Sequence, residues 1–296
     1  MELPKHVSDI LNKLPGSYVV GGAVRDMLLG KQPHDYDITT PFLPEQVKNL
    51  FDHVVLTGEK HGTVTIVTGG GDVEVTTMRK DGVYKDNRHP ESVKFTDNIV
   101  KDLSRRDFTI NAMAYNNKLI DPFGGAKALR AGEIIAVNNP DERFQEDALR
   151  MIRAIRFASQ LCFIINAETF DAIKRNKDLI CNISAERIRD ELCKIIISDC
   201  PSMGIKLLHT SGLLEIILPE ISNMVGFDQC NPYHNKNVFD HTLLVMENTS
   251  NDLISRLAAL LHDVGKPKTF SLDEDEVGHF YKHHMVGADM TKDILH

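Results

Sequence analysis

The sequence contains no tryptophan, only five cysteines and no long apolar segment. No two cysteines have CxxC spacing, and their odd number argues against a disulfide framework or a structural zinc site. We therefore expect the cysteines to be buried free thiols. No apolar run approaches the roughly 18 residues of a membrane helix, and the N-terminal residues lack the pattern of a signal peptide. These absences predict a cytoplasmic protein with no membrane partner.

An overall basic balance is also missing, because 34 basic residues face 42 acidic ones and give a net charge of −8. A nucleic-acid-binding protein usually has a basic surface, so this balance argues mildly against such a partner. The basic residues are clustered, however, within residues 79–88, at 105–106 and within 143–156. A local basic track on an acidic protein is sufficient to bind RNA.

The 296 residues, 42% of them hydrophobic, predict two or three domains with separate cores. Before residue 140, short β-rich runs alternate with turns and two helices. After it the pattern is helical, and residues 142–158 have a period of 3.6 with Met151, Ile152 and Ile155 on the apolar side. The predicted strands are 17–20, 36–40, 54–56, 63–68, 73–77 and 93–96. The predicted domains are a head at 1–138, a helical neck and body at 139–225 and a last segment at 226–296.

A pair of glycines, Gly21 and Gly22, lies between the first predicted strand and the first predicted helix. Glycine lets the backbone turn tightly and approach a ligand closely. The free N–H groups at a helix start favour an anion, and Arg25 adds a fixed positive charge. A lone glycine pair is more often only a turn, but this order predicts a phosphate-binding site.

Two aspartates, Asp35 and Asp37, follow at i and i+2 on the next strand, so their side chains share a face. Adjacent carboxylates repel each other, and a divalent cation such as Mg²⁺ relieves that repulsion. Glu74 on a later strand is the best candidate for a third carboxylate, although an exposed strand residue with no role is equally consistent. The order strand, glycine pair, helix and DxD resembles the head of the DNA polymerase beta-like nucleotidyltransferases.

Four further motifs extend this resemblance over about residues 15–220. They are RRDFTINAMA at 105–114, DPFGG at 121–125, EDxxRxxRxxRF from Glu146 to Phe157, and AERIRDEL at 185–192. Their types and order resemble class II CCA-adding tRNA nucleotidyltransferases and bacterial poly(A) polymerases. The resemblance implies a fold with an α/β nucleotidyltransferase head followed by an all-α neck and body.

The resemblance also implies a role for each matched residue. Asp35 and Asp37 would be catalytic and would bind two Mg²⁺ ions, with Glu74 as an optional third ligand. The residues implied in nucleotide binding are Gly21, Gly22, Arg25, Arg106, Asp107, Asn111, Asp147, Arg150, Arg153 and Arg156. Within this set, the first four would hold the triphosphate, while Asp107 and Asn111 would contact the ribose.

Asp147 and Arg150 would pair with the incoming base. A carboxylate accepts from the amino group of cytosine or adenine, and a guanidinium donates to the ring acceptor. On one continuous helix these two side chains, three residues apart, share a face. A surface ion pair is the alternative for these two residues taken alone. The polar segment at 79–90 resembles the flexible loop of enzymes that add the terminal A.

Histidines near the C-terminus form a second constellation, comprising His241, His262, Asp263 and His283. These residue types suit a divalent metal, and the string HDVGK resembles the start of an HD-type phosphohydrolase domain. Because the usual last aspartate ligand lies farther downstream, we expect a partial helical HD segment. The chain is also short for the family, which puts the affinity for tRNA in doubt.

Together, these features predict an enzyme that adds C, C and A to the tRNA 3′ end from CTP and ATP, without a nucleic-acid template, and releases pyrophosphate. One alternative is a poly(A) polymerase or an A-adding enzyme, because the motifs overlap. A second is a metal-dependent HD phosphohydrolase whose head only binds RNA. A third, a metal-free binding protein, is disfavoured by the intact DxD.

Overall fold

The computed structural model describes residues 2–58, 62–82, 92–230 and 237–295. Contacts divide the chain into two compact units, Met1–Asp147 and Ala148–His296. The predicted flexible loop at 79–90 lies mostly outside the described residues, which include only its first four positions. None of the helices within the described ranges is long and apolar enough to cross a membrane.

The first unit is built on a seven-stranded sheet. Its strands are β1 (Tyr18–Val20), β2 (Tyr36–Thr40), β3 (Val54–Gly58), β4 (Thr63–Thr68), β5 (Gly71–Thr77), β8 (Ala114–Asn116) and β9 (Lys118–Ile120). They lie side by side in the order β3-β4-β5-β2-β1-β8-β9. Strands β2 and β5 run parallel, and the other neighbours in this sheet are antiparallel. The six strands predicted from the sequence are all present, with bounds that shift by at most two residues.

Helices and short ribbons complete this unit. They are α1 (Lys5–Lys13), α2 (Gly22–Leu28), α3 (Pro44–Lys48), β6 (Arg79–Asp81), β7 (Val93–Phe95), α4 (Ile99–Ser104), a 3-10 turn (Thr109–Asn111), α5 (Gly125–Ala131), β10 (Glu133–Ile134) and α6 (Pro140–Glu146). One apolar cluster joins the interior strand β1 to α4 and β8 through Val20, Leu103 and Ala114. This packing fixes the RRDFTINAMA segment behind the end of β1.

The second unit is mostly helical. Its elements are α7 (Leu149–Leu161), β11 (Ile164–Ile165), α8 (Ala167–Asn176), a 3-10 segment (Lys177–Asn182), α9 (Ala185–Ile196), α10 (Pro201–Ser211), α11 (Leu213–Ile217), α12 (Pro219–Ser222), α13 (Val238–Glu247), α14 (Leu253–Leu261), α15 (Lys266–Thr269), β12 (Phe270–Leu272), β13 (Gly278–Phe280) and α16 (His283–Leu295). The predicted apolar side of α7, with Met151, Ile152 and Ile155, is fully buried.

The prediction of one helix over residues 142–158 is wrong, because the chain forms α6 and α7 with a break at Asp147. Asp147 has an extended backbone, with φ −143° and ψ 104°. Arg143 fixes α6 on its own unit by donating to the carbonyl of Ser104 at 3.1 Å and pairing with Glu146 at 2.5 Å. Aspartate also favours a helix end over a helix interior. Hydrophobic periodicity alone does not register such a break.

The prediction of buried free thiols is also wrong. Cys162 and Cys200 form a disulfide with a Cα–Cα distance of 5.8 Å. Cys181 and Cys230 are free but exposed, and Cys193 is half-buried. The bonded pair is 38 residues apart in sequence and is brought together by helix packing, so no local spacing rule could find it.

Candidate functional site

Gly21 marks the point where the predicted phosphate and metal residues converge. It precedes α2 with a φ of 71° and a ψ of −135°, a conformation that glycine adopts far more readily than other residues. A Cβ placed there would lie 3.1 Å from Nη1 of Arg106 and 3.8 Å from Oδ2 of Asp37. The glycine therefore leaves open a small space bordered by a guanidinium and a carboxylate.

Asp37 and Glu74 are register partners across the parallel strands β2 and β5. Partial loss of hydration raises the pKa of Asp37, which the Arg106 charge lowers and the Asp35 charge raises again. The pKa of Glu74 is likewise raised by desolvation and then by the charge of Asp37. Three acidic side chains thus gather at one end of β2, where the repulsion among them favours a cation.

Two other predicted residues are linked directly. Arg25 donates from Nη1 to Oδ1 of Asn111 at 3.0 Å and also pairs with Asp26 at 2.8 Å. Asn111 in turn donates from Nδ2 to Oδ1 of Asp107 at 3.4 Å. Asp107 and Asn111 are buried, so these bonds hold their polar groups in place behind the start of α2.

Sequence reasoning missed Asp102, a fully buried carboxylate in α4. It pairs with Arg105 at 2.8 Å and with Arg106 at 3.7 Å, and it accepts from the backbone N–H of Arg79 at 3.2 Å. Burial alone would raise its pKa, but the two arginine charges and these hydrogen bonds outweigh burial and lower it. An aspartate four residues before Arg106 is the sequence signal that could have suggested an intrahelical pair.

The residues predicted to read the base lie on different elements. Asp147 ends the first unit in an extended conformation, whereas Arg150 is in the first turn of α7. Arg153 and Arg156 follow on α7, and both guanidinium groups lie over the Phe157 ring. Arg156 also pairs at 2.5 Å with Glu191 of α9, so part of its charge already joins two helices.

The predicted histidine constellation assembles within the second unit. The Nε2 atoms of His241, His262 and His283 lie 3.9, 3.2 and 3.8 Å from carboxylate oxygens of Asp263. The ligand atoms of the first two histidines and Asp263 lie within 4.8 Å of one another, a spacing that could hold a metal ion. Asp263 is nearly fully buried.

Outer contacts orient these rings. Nδ1 of His262 lies 2.7 Å from the carbonyl of Ala259, and Nδ1 of His283 lies 2.9 Å from that of Phe280. A hydrogen bond from Nδ1 to a carbonyl leaves Nε2 free as a ligand, which is how metal-binding histidines are usually held. Lys266 also contacts Asp263 at 2.8 Å. Burial raises the pKa of Asp263, but bonds from His262 and Lys266 outweigh it and lower the pKa to about 2.

Comparison with solved structures decides the family. A crystal structure of the Bacillus stearothermophilus CCA-adding enzyme in complex with CTP matches with a TM-score of 0.73 and 32% sequence identity. The match covers 99% of this chain and 69% of that chain. The chain belongs to the family of CCA-adding enzymes and bacterial poly(A) polymerases.

Family models and curated relatives agree with this assignment. The Poly A polymerase head domain matches residues 17–135, the "Probable RNA and SrmB- binding site of polymerase A" matches 162–224, and the HD domain matches 233–296. The CCA-adding enzyme of Ligilactobacillus salivarius is 47% identical over 64% of this chain and 48% of its own length. That of Limosilactobacillus reuteri is 38% identical over 94% of this chain and 65% of its own length.

This chain spans about half the length of several curated CCA-adding enzymes that it matches. The family assignment confirms the predicted architecture of a nucleotidyltransferase head, a helical body and an HD domain. CCA-adding nucleotidyltransferases use divalent metal ions. The acidic group at β2 and β5 fits such an ion, because desolvation and the charge of a neighbouring carboxylate raise the pKa of both Asp37 and Glu74.

Proposed function

We propose that this chain adds C, C and A to the 3′ end of tRNA from CTP and ATP and releases pyrophosphate. The observation that carries the proposal is the convergence of Asp37 and Arg106 on the space in front of Gly21. A carboxylate suited to a metal ion and a guanidinium suited to phosphate thus both lie within 4 Å of one point at Gly21. The B. stearothermophilus relative that was solved with CTP supports the choice of nucleotide.

Two Mg²⁺ ions would be held by Asp35 and Asp37, with Glu74 as an additional ligand. When bound, such ions would lower the pKa of the attacking RNA hydroxyl and would stabilise the charge on the leaving pyrophosphate. The protein contributes the fixed separation of its carboxylates, which the register of β2 and β5 sets. Because Gly21 has no side chain, it also leaves room for the phosphate groups.

Positively charged groups of the head would hold the triphosphate. Arg106 lies next to the open space, and its ion pair with Asp102 holds the guanidinium in that position. Arg25 and the backbone N–H groups that follow Gly21 add donors at the start of α2. Because Arg25 is bonded to Asn111, the phosphate-binding arginine and the ribose-binding pair Asp107 and Asn111 would be positioned together.

Asp147 and Arg150 would select the base. Cytosine and adenine each carry an amino group, which the carboxylate would accept from, and a ring nitrogen acceptor, which the guanidinium would donate to. The extended backbone of Asp147 supports this role, because a side chain at a helix end is not restricted to the solvent-facing side of a helix. Uracil and guanine would place a carbonyl against the carboxylate, and the unpaired groups would oppose their binding.

A cytoplasmic location remains a prediction.

The decisive experiment uses the full chain with a tRNA that lacks CCA. We expect CTP alone to add two C residues, and CTP with ATP to complete the CCA end, as read by sequencing of product ends. Asp37→Asn should abolish both additions, because it removes a negative ligand at constant size. Long runs of A from ATP alone would instead identify a poly(A) polymerase, and no addition of any nucleotide would refute the proposal.

A second activity is favoured by the histidine group around Asp263, which resembles a metal-dependent phosphohydrolase site. Its residues would be His241, His262, Asp263 and His283, and a divalent ion there would have to compete with Lys266 for the carboxylate. Release of phosphate from phosphorylated nucleosides in the presence of a divalent metal tests this activity. His262→Ala should abolish the release, whereas Asp37→Asn should leave it unchanged.

A further inference from the structure

Cys162 and Cys200 form a cross-link in the second unit that the proposed chemistry does not use. Cys162 follows the last residue of α7, and Cys200 precedes Pro201, the first residue of α10. Their Cα atoms are 5.8 Å apart, within the range that a disulfide spans without backbone movement. The cross-link encloses α8 and α9 and lies in the segment that matches the family model for RNA binding, residues 162–224.

Hydrogen bonds that do not involve sulfur hold the two cysteines in place. Ser159, in the last turn of α7, donates from Oγ to the carbonyl of Cys200 at 2.8 Å. The backbone N–H of Cys200 donates back to the carbonyl of Ser159 at 3.0 Å. Because Ser159 is fully buried, this reciprocal pair keeps the two thiols at bonding distance after the disulfide is reduced.

The segment before Cys200 is fixed from a second side. Arg256 of α14 is buried and donates from Nη1 to the carbonyls of Ile196 and Ser198, both at 2.8 Å. Ser198 also contacts Ser159 through their hydroxyl groups. These contacts hold the backbone before Cys200 in one position. They therefore raise the effective concentration of one thiol near the other.

The backbone conformation at Cys162 suggests a functional role for its thiol. Cys162 has a φ of 52° and ends α7 in the left-handed conformation, where glycine or asparagine is favoured. A cysteine at such a position bears a conformational cost that glycine would avoid. Cys162 is also exposed, whereas Cys200 is half-buried, so Cys162 is the more accessible of the two sulfurs.

We propose that Cys162 and Cys200 are a thiol–disulfide exchange site whose partner is a low-molecular-weight disulfide of the glutathione type. The thiolate of Cys162 attacks one sulfur of the disulfide, forms a mixed disulfide and releases one glutathione thiolate. The thiolate of Cys200 then attacks the Cys162 sulfur and releases the second. Both cysteine protons pass to the two glutathione thiolates, so two protein thiols are oxidised and one disulfide is reduced.

The consequence is a helical unit with two states of different stability. Closing a loop across residues 162 and 200 reduces the conformational freedom of the unfolded chain. Oxidation should therefore raise the thermal midpoint of the second unit by roughly 5–10 °C. The three other cysteines are free, so they provide internal controls for the chemistry.

The test equilibrates the full chain in glutathione buffers of graded redox ratio, traps free thiols with an alkylating reagent and maps the peptides by mass spectrometry. We expect a peptide linking Cys162 to Cys200 in oxidising buffers and alkylation of both in reducing buffers. If both are alkylated at every ratio, the site does not form. If the cross-link persists at every ratio, it does not exchange, and the proposal fails equally.

Three variants separate the redox effect from misfolding. Cys162→Gly suits the positive φ, so it should fold, remain uncross-linked and show the same thermal midpoint in both buffers. Cys200→Ser should likewise lose the shift. Cys193→Ser, which alters a free half-buried cysteine of α9, should keep the full shift. A shift that survives in Cys162→Gly would overturn the assignment.

Discussion

Glu74 faces Asp37 across two parallel strands, and each carboxylate is held by main-chain pairing instead of by a flexible loop. If Glu74 is a third metal ligand, Glu74→Gln should lower the rate of nucleotide addition by roughly ten-fold or more. The KM for tRNA should not change. Glu45→Gln provides a matched control, because Glu45 is an exposed acid of the same unit on α3. Equal rates for wild type and Glu74→Gln would leave Glu74 as an exposed strand residue without a role.

Replacing Gly21 by alanine tests the open space in front of Arg106. The new Cβ would press on the guanidinium at 3.1 Å and would also strain a backbone with positive φ. We expect Gly21→Ala to raise the KM for CTP and ATP by roughly ten-fold. Gly30→Ala is the control, because Gly30 has the same φ of 71° but nothing within 4 Å of its added Cβ. A similar rise in KM in both variants would assign the effect to backbone strain.

Asp102→Asn should destabilise the first unit by roughly 2–4 kcal/mol at pH 7, because two arginines lose a buried partner. The pKa of Asp102 is lowered by folding, so its ionised form stabilises the protein above the unfolded pKa of about 3.9. That stabilisation is lost as the pH falls through the lower folded pKa. Urea unfolding from pH 7 to pH 3 should show the two proteins converging in stability. A difference that is constant over this range would contradict the assignment.

Asp147→Ala should relax the choice of base. Without the carboxylate, UTP and GTP should be incorporated roughly ten-fold more often relative to CTP and ATP, for a lost discrimination of about 1–3 kcal/mol. The quantity to compare is the ratio of kcat/KM among the four nucleotides. Glu142→Ala, an exposed change on α6, should keep the wild-type ratio. If all four rates fall together in Asp147→Ala, the residue is structural and the base-selection hypothesis is wrong.

Strand patterning predicted the central sheet well, because β2 and β4 combine β-branched residues with clear turn signals on both sides. The bounds of β2 and β4 agree with the predicted ranges 36–40 and 63–68. The elements of the first unit that were not predicted include α1 and the β8–β9 hairpin. The hairpin turn contains Asn117 with a φ of 56°, and a single asparagine between short strands is a weak signal.

The parts of the sites that sequence did not predict depend on long-range contacts. Asp102 reads as an ordinary helix residue until the structure places it beside Thr39 of β2, 63 residues away. Lys266 is the last residue of the HDVGK string, but its contact with Gln229 could not be inferred from spacing. Family resemblance supplied residue roles that composition and periodicity cannot supply. At Asp147 the observed apolar periodicity was correct, but the single helix inferred from it was wrong, because the chain breaks there into α6 and α7.

The parallel pairing of β2 with β5 makes the acidic group independent of the ribbon that connects the two strands. Strands β3 and β4 leave the sheet's centre, form its outer edge and return the chain to the start of β5. The spacing between Asp37 and Glu74 is set by one register and not by the length or sequence of that excursion. The outer ribbon can therefore diverge, lengthen or acquire new contacts over evolution while the carboxylates keep their positions.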